Sequence, residues 1–307
     1  MPGEKPQDTE AVQRDDLHVP LYFLDRSDLW DTIKPYNFHY VPKSDVPLHN
    51  LQRSYHSVHL RSLRPLVPTL TLDKQGFEVD RLDTRMRYED FRDDQLIEQV
   101  YFSELENHFT QKLGAKKIRP LDFQLRLRDR EFPYFQGKPS AKPQPSLMTH
   151  VDVTPEATKS IIRELYEETA EEIFKARYQI ITVWRPLRVP VRDWPLALCD
   201  ASTVSPSDMV ENDVIYPNYV AENLMIHYDE RQRWYWLPDQ AEDEVLVFKA
   251  VDSDKDKYNP CPHGAFPLPD STESSLLRES IDVRLLVMFA DIDYPQSKSW
   301  SSAEIMM

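Results

Sequence analysis

The chain has 307 residues and a formal net charge of −15, with 40% apolar and 29% charged residues. That balance suits a globular protein with a sizeable core. It argues against nucleic acid as a partner, because phosphates call for basic surface, and no apolar run approaches the ~18 residues of a membrane-spanning helix. The five glycines stand alone in the sequence, so the clustered glycine loops that cradle phosphate in nucleotide-binding enzymes are excluded.

Residues 1–20 read as a mobile N-terminal arm; Met1 to Asp16 are polar and proline-containing, without an apolar signal core, so a cytoplasmic protein is expected. Residues 21–307 read as one domain. Thr69 to Leu72 and Phe77 to Val79 alternate as two strands around a Lys74-Gln75-Gly76 turn. From Asp94 to Leu113, Leu96, Ile97, Val100, Tyr101, Leu105 and Phe109 fall at helical spacing, with Gly114 as the C-terminal cap. Leu121, Phe123, Leu125 and Leu127 then alternate with Asp122, Gln124, Arg126 and Arg128, the pattern of a strand with one buried face.

A proline-rich loop over 133–147 leads into Met148-Thr149-His150-Val151-Asp152-Val153. A second helix starts with Thr154 as N-cap and Pro155 in the first turn. Its apolar stripe is Ile161, Ile162, Leu165, Tyr166, Ile173 and Phe174, and its glutamates form a wet face. Beyond it the chain is nearly all β: Gln179–Leu187, Leu196–Asp200, Leu224–Tyr228, Trp234–Leu237, Glu244–Val251 and Ser280–Ala290. Short strands at close spacing between proline-rich turns point to a mainly β fold with flanking helices, a sandwich or jelly roll.

His150-Val151-Asp152 puts an imidazole and a carboxylate on one face of a strand, since residues i and i+2 point the same way. His263, in Cys261-Pro262-His263, offers a third ligand. Two histidines and one carboxylate leave open positions on an iron(II) ion, where a 2-oxo acid and O2 bind in oxygenases. His227-Tyr228-Asp229 has the same spacing and competes, but runs into a charged stretch that reads as an exposed turn. The two cysteines, Cys199 and Cys261, allow neither a disulfide framework nor a four-cysteine zinc site.

Arg278 and Arg284, six residues apart, share a strand face and can clamp the carboxylate of 2-oxoglutarate; the plainer alternative is pairing with Asp or Glu. Tyr178, Ile180, Thr182 and Trp184 share a face of their strand. Thr182 is a candidate donor to the co-substrate carboxylate, and Tyr178 and Trp184 are candidates to line the substrate pocket, against a plainer role in core packing. A metal-dependent hydrolase on the same triad and a non-catalytic small-molecule-binding or partner subunit stay open as alternatives.

Several blocks carry a resemblance: Arg177 to Pro186, Pro195 to Asp200, Trp234-Tyr235-Trp236, Asp243 to Lys249, Pro262 to Phe266 and Arg278 to Arg284. Together they resemble a fungal family that includes gibberellin desaturase-like proteins and is similar to one subunit of the bacterial cephem methoxylase system. The resemblance covers about residues 120 to 290. It implies a double-stranded β-helix (a cupin-like jelly roll), a dioxygenase of fungal secondary metabolism dependent on iron(II) and 2-oxoglutarate, and hydroxylation or desaturation of an unactivated C–H bond in a small molecule. The family more often carries Asn where Thr182 stands and a small polar residue where Gly264 stands. A homo-oligomer is compatible with all of this, and neither nucleic acid nor membrane is expected as a partner.

Overall fold

The computed structural model describes residues 15–43, 45–133, 142–269 and 276–295. β1 (Leu17–Leu24) is followed by β2 (Tyr36–Phe38) and β3 (Arg53–Ser62), which pairs antiparallel with β1. β4 (Phe77–Arg81) precedes α1 (Phe102–Leu113), and β5 (Lys117–Leu127) follows it. β6 is only His150–Val151 and leads into α2 (Pro155–Tyr166). The remaining strands are β7 (Tyr178–Pro186), β8 (Leu196–Cys199), β9 (Met209–Ile215), β10 (Val220–Ile226), β11 (Trp234–Trp236), β12 (Glu244–Asp252), β13 (His263–Ala265) and β14 (Glu279–Met288).

These strands make two sheets: a nine-stranded one in the order β1-β3-β11-β8-β13-β6-β10-β9-β2, and a five-stranded one in the order β4-β12-β7-β14-β5. They form a jelly roll, the double-stranded β-helix expected from the sequence. Every residue of β7 and β12 is buried, because the smaller sheet is covered on both faces. Strands in that position become nearly continuous apolar runs. Ile181 and Val183 pack outward against Tyr101, Leu105 and Phe109 on the α1 side. Ile180 and Leu286 face inward onto Leu21, Val151, Ala197 and Ile226 of the larger sheet and onto Ile161 and Ile162 of α2.

The helices start and stop where their residues dictate. Thr154 accepts a hydrogen bond from the Ala157 N–H at 3.1 Å, satisfying a donor that the first turn leaves orphaned. α2 ends at Glu167, with φ +43°, and the expected stripe continues after this break as a short helix, Ala170–Phe174. α1 is entered through a short helical turn, Asp94–Leu96, and a π turn, Ile97–Tyr101, and ends on Gly114 in the left-handed region (φ +64°).

Two expectations are corrected here. Leu17 to Pro20, read as part of the N-terminal arm, belong to β1, where Val19 is buried; residues 1–14 of that arm lie outside the described ones. Thr69 to Leu72 is not a strand: Val67–Thr69 forms a 3-10 turn, and Leu70 and Leu72 are buried without pairing to β4. Gly76 follows at φ +81°, where a Cβ would lie 2.5 Å from the Asn259 carbonyl oxygen. The backbone therefore passes too close at this point for any side chain.

Candidate metal centre and its cavity

β6 is short, but it sits between β13 and β10. His150 pairs directly with His263 on one side and with Met225 on the other. The two imidazoles are thus neighbours across the ladder, ring centroids 4.4 Å apart. His150 Nδ1 lies 2.8 Å from the Met148 carbonyl oxygen and His263 Nδ1 lies 3.3 Å from that of Cys261. A carbonyl only accepts, so each Nδ1 carries the proton and each Nε2 keeps its lone pair. Both Nε2 atoms stand 3.5 Å from Asp152 Oδ1.

The other carboxylate oxygen, Asp152 Oδ2, accepts a hydrogen bond from the Thr182 hydroxyl at 2.5 Å. Burial alone would raise the Asp152 pKa, but His263 and His150 overcome it and hold the carboxyl well below the usual range. Burial pushes the His150 imidazole the other way, toward the neutral form, and His263 adds to that. An ionised Asp152 and a neutral His150 are the forms in which these two groups can bind a metal.

These three residues are the only group of that kind among the described residues, with ligand atoms all within 4.8 Å of one another. Their donor set fits a divalent iron and leaves positions for further ligands. Cys261 is no ligand: its thiol points to the Cys199 and Pro262 carbonyls, and burial pushes its pKa well up. His227 is not one either. Its Nδ1 is bonded to the Leu24 carbonyl at 2.8 Å, and Asp229 is paired with Arg231 instead.

A cavity of about 800 Å³ opens beside His150 and Asp152. Asp122, Gln124 and Arg126 of β5 line it, together with Asp282 and Arg284 of β14. The alternation in β5 is as expected, but its polar face looks into this cavity and not into bulk solvent.

A model of a family described as oxidoreductase/YMDC permease-like domain matches residues 21–288. The alpha-ketoglutarate-dependent dioxygenase tstK of Talaromyces stipitatus is 30% identical over 239 residues, 76% of this chain and 85% of the relative. The Fe(II)/2-oxoglutarate-dependent dioxygenase nvfI of Aspergillus novofumigatus is 30% identical over 260 residues, 80% of this chain and 88% of the relative. A solved structure of iron and alpha-ketoglutarate-dependent endoperoxidase NvfI superposes with a TM-score of 0.79 at 26% identity, covering 91% of this chain and 100% of that one. The chain belongs to this family of iron(II)- and 2-oxoglutarate-dependent dioxygenases. Among its described residues no helix is long and apolar enough to cross a membrane.

The dioxygenase places the other candidate residues unevenly. Arg278 is 4% exposed, its Nη1 bonded to the Trp194 carbonyl at 2.8 Å and its Nε to Ser280 Oγ at 3.2 Å. The guanidinium lies 5.2 Å from the centre of the Trp184 ring. No carboxylate among the described residues bonds it; Asp193 takes its backbone N–H instead. Burial, aided by the charge of Arg126, pushes its pKa down to about 9. A buried guanidinium in that condition fits an incoming carboxylate; the indole Nε1 of Trp184 is also buried with no hydrogen-bond partner among the described residues.

Arg284 is already satisfied. Its Nε donates to Asp122 Oδ1 at 2.7 Å and its Nη2 to Asp122 Oδ2, a bidentate pair. The plainer of the two readings applies to this arginine. Thr182 spends its single hydroxyl hydrogen on Asp152, so it orients the carboxylate and has no donor left for a co-substrate. Trp184 packs with Leu196, Leu198 and Phe248 and, like Arg278, is not among the residues that line the cavity. Tyr178, near the far end of β7, packs against Phe174 and is also absent from the cavity wall. Sequence reasoning passed over Arg126, which lines the cavity and bonds Asp282 Oδ1 at 2.8 Å. Its only signal was its place in the polar alternation of β5.

Proposed function

We propose that this dioxygenase hydroxylates or desaturates an unactivated C–H bond of a small secondary metabolite, with iron(II) held by His150, Asp152 and His263. The observation that carries the reading is the convergence of both Nε2 atoms on one oxygen of Asp152. Iron(II), when bound, supplies the oxidation: O2 and 2-oxoglutarate are consumed, succinate and CO2 leave, and the substrate gains a hydroxyl or loses two hydrogens with release of water.

The protein's own share is binding and orientation. Met148 and Cys261 hold the imidazole tautomers through Nδ1, and Thr182 holds the carboxylate through Oδ2. Arg278 pairs with the distal carboxylate of 2-oxoglutarate, with the indole face of Trp184 beneath the guanidinium. The cavity beside Asp152 receives the substrate, its C–H bond toward the three ligands. A cytoplasmic setting belongs to the same proposal; a fluorescent fusion that is secreted or sorted to an organelle would remove it.

The test is anaerobic titration of the purified protein with iron(II) and 2-oxoglutarate, followed through the weak visible charge-transfer band of the chelate. The band is expected in the wild type and absent in Asp152→Ala. A well-folded wild type that never develops it overturns the reading.

A further inference from the structure

Three asparagines cross the wall of the cavity. Asn223 on β10 stands directly opposite Asn212 on β9. Asn212 Nδ2 donates to Oδ1 of Asn223 at 2.8 Å and to Oδ1 of Asn37, on β2, at 3.0 Å. Asn212 is fully buried, and among the described residues its own Oδ1 has no hydrogen-bond partner. Turning all three amides over would satisfy that oxygen but strand the NH2 group of Asn212 in its place. Buried N–H groups without an acceptor are the rarer and worse defect, while a carbonyl tolerates being under-used. The observed orientation therefore wins.

Its effect is to aim the outer two amides. Asn37 and Asn223 turn their oxygens to Asn212, so their NH2 groups point away from it. Both residues line the cavity, whereas Asn212 does not. Among the described residues neither NH2 group donates to an acceptor; the one bond of each side chain is the one accepted from Asn212. Register puts Asn223 beside the chemistry. β10 pairs with β6 at Met225–His150 and Leu224–Val151; Asn223 is the next residue along β10 and lines the same cavity as His150 and Asp152.

We infer that Asn223 and Asn37 are specificity residues that donate hydrogen bonds to carbonyl oxygens of the substrate, so the molecule oxidised is a carbonyl-bearing compound such as a ketone or lactone. This rests on the reading of the cavity as the substrate site. Two uncharged donors suit oxygen lone pairs. Against a plain hydrocarbon framework they would be stripped of water with nothing in return, the situation in which a site rejects an analogue that lacks its polar group.

Calorimetric titration of the iron(II)- and 2-oxoglutarate-loaded protein without oxygen tests this with 4-chromanone and chroman, which differ only in the ketone. The ketone is expected to bind at least about tenfold tighter, the effect of one stranded buried donor. Asn223→Asp and Asn37→Asp each keep the bond from Asn212 while presenting an oxygen in place of the NH2 group, and each is expected to shrink the preference. Asn37 lies on an edge strand, so its variant keeps the test open if Asn223→Asp folds poorly. Equal binding of the two probes, binding of neither, or a preference unchanged in the folded variants overturns the inference. The chelate band in the same samples separates the two claims. If no chelate forms in the wild type, the proposed function fails; if it forms without ketone preference, only this inference fails.

Discussion

Thr182 and Asp152 meet through a 2.5 Å hydrogen bond that engages one carboxylate oxygen and leaves the other facing both imidazoles. Thr182 comes from the central strand of the five-stranded sheet and Asp152 directly follows β6 of the larger one, so this bond fixes a ligand beside one sheet against a side chain of the other. Thr182→Val keeps the shape and deletes the donor. Iron(II) affinity is expected to fall by about 10–100-fold, the usual loss when a partner of a metal ligand is removed, with Thr182→Ser recovering most of it. Metal titration of the three proteins decides this, and a Val variant with wild-type affinity would show that the bond does not orient the ligand.

Arg278 and Arg284 should separate cleanly. Arg278→Ala removes a buried cation with no carboxylate bonded to its guanidinium, and 2-oxoglutarate binding is expected to weaken by about 2–5 kcal/mol, the range for truncating one side of a buried charge pair. Arg284→Leu should leave co-substrate binding within about threefold, since each residue would lose only its own partner and additivity holds for separate pairs. Titration of the chelate band reads both; equal damage from the two variants would contradict the assignment.

The Arg284–Asp122 pair instead belongs to stability. Asp122 is 8% exposed, and losing Arg284 leaves its carboxylate nearly buried and unmatched. Arg284→Leu or Asp122→Leu alone is expected to destabilise by about 1–3 kcal/mol, while the double variant recovers part of that loss. Denaturant melts of the four proteins complete the cycle.

A second buried pair sets an acid limb. Lys249 Nζ lies 2.7 Å from Asp252 Oδ2, and both side chains are fully buried; Arg177 and Gln179 also donate to that carboxylate. Burial alone would raise the Asp252 pKa, but the bonds from Arg177 and Lys249 overcome it and lower it from 3.8. A depressed folded pKa gives stability that is full above the unfolded value and is lost as pH falls through the folded one. Asp252→Asn is expected to cost about 3 kcal/mol near neutrality by leaving Lys249 without its main partner. The gap to wild type should narrow below pH 4, because only the wild type then loses the interaction. A constant gap across pH would rule out this source.

Much of the site is visible in the sequence because its geometry is local. His150-Val151-Asp152 needs only the two-residue period of a strand, and Thr154-Pro155 announces a helix immediately after it. What is not visible depends on partners far along the chain. Arg278 and Arg284 look alike until Asp122 is placed against one of them. β13 is three residues long, too short for any periodicity, although it carries a ligand. The alternation of Asp122, Gln124 and Arg126 has one pattern for two environments, since a polar cavity and bulk water select the same side chains. Tyr178 and Trp184 share a face with Thr182, but a strand of nine residues is long enough for one face to pass from the site into ordinary core at either end.

The direct pairing of His150 with His263 also bears on the life of the protein without its metal. Backbone ladders, and not the ion, hold the two imidazoles side by side, and carbonyls already fix which nitrogen each presents. That pairing is made by backbone and needs no ion, so the chain is expected to stay folded when the metal is removed. A chelated sample should accordingly melt as one cooperative unit and regain activity on adding iron(II), with no refolding step in between.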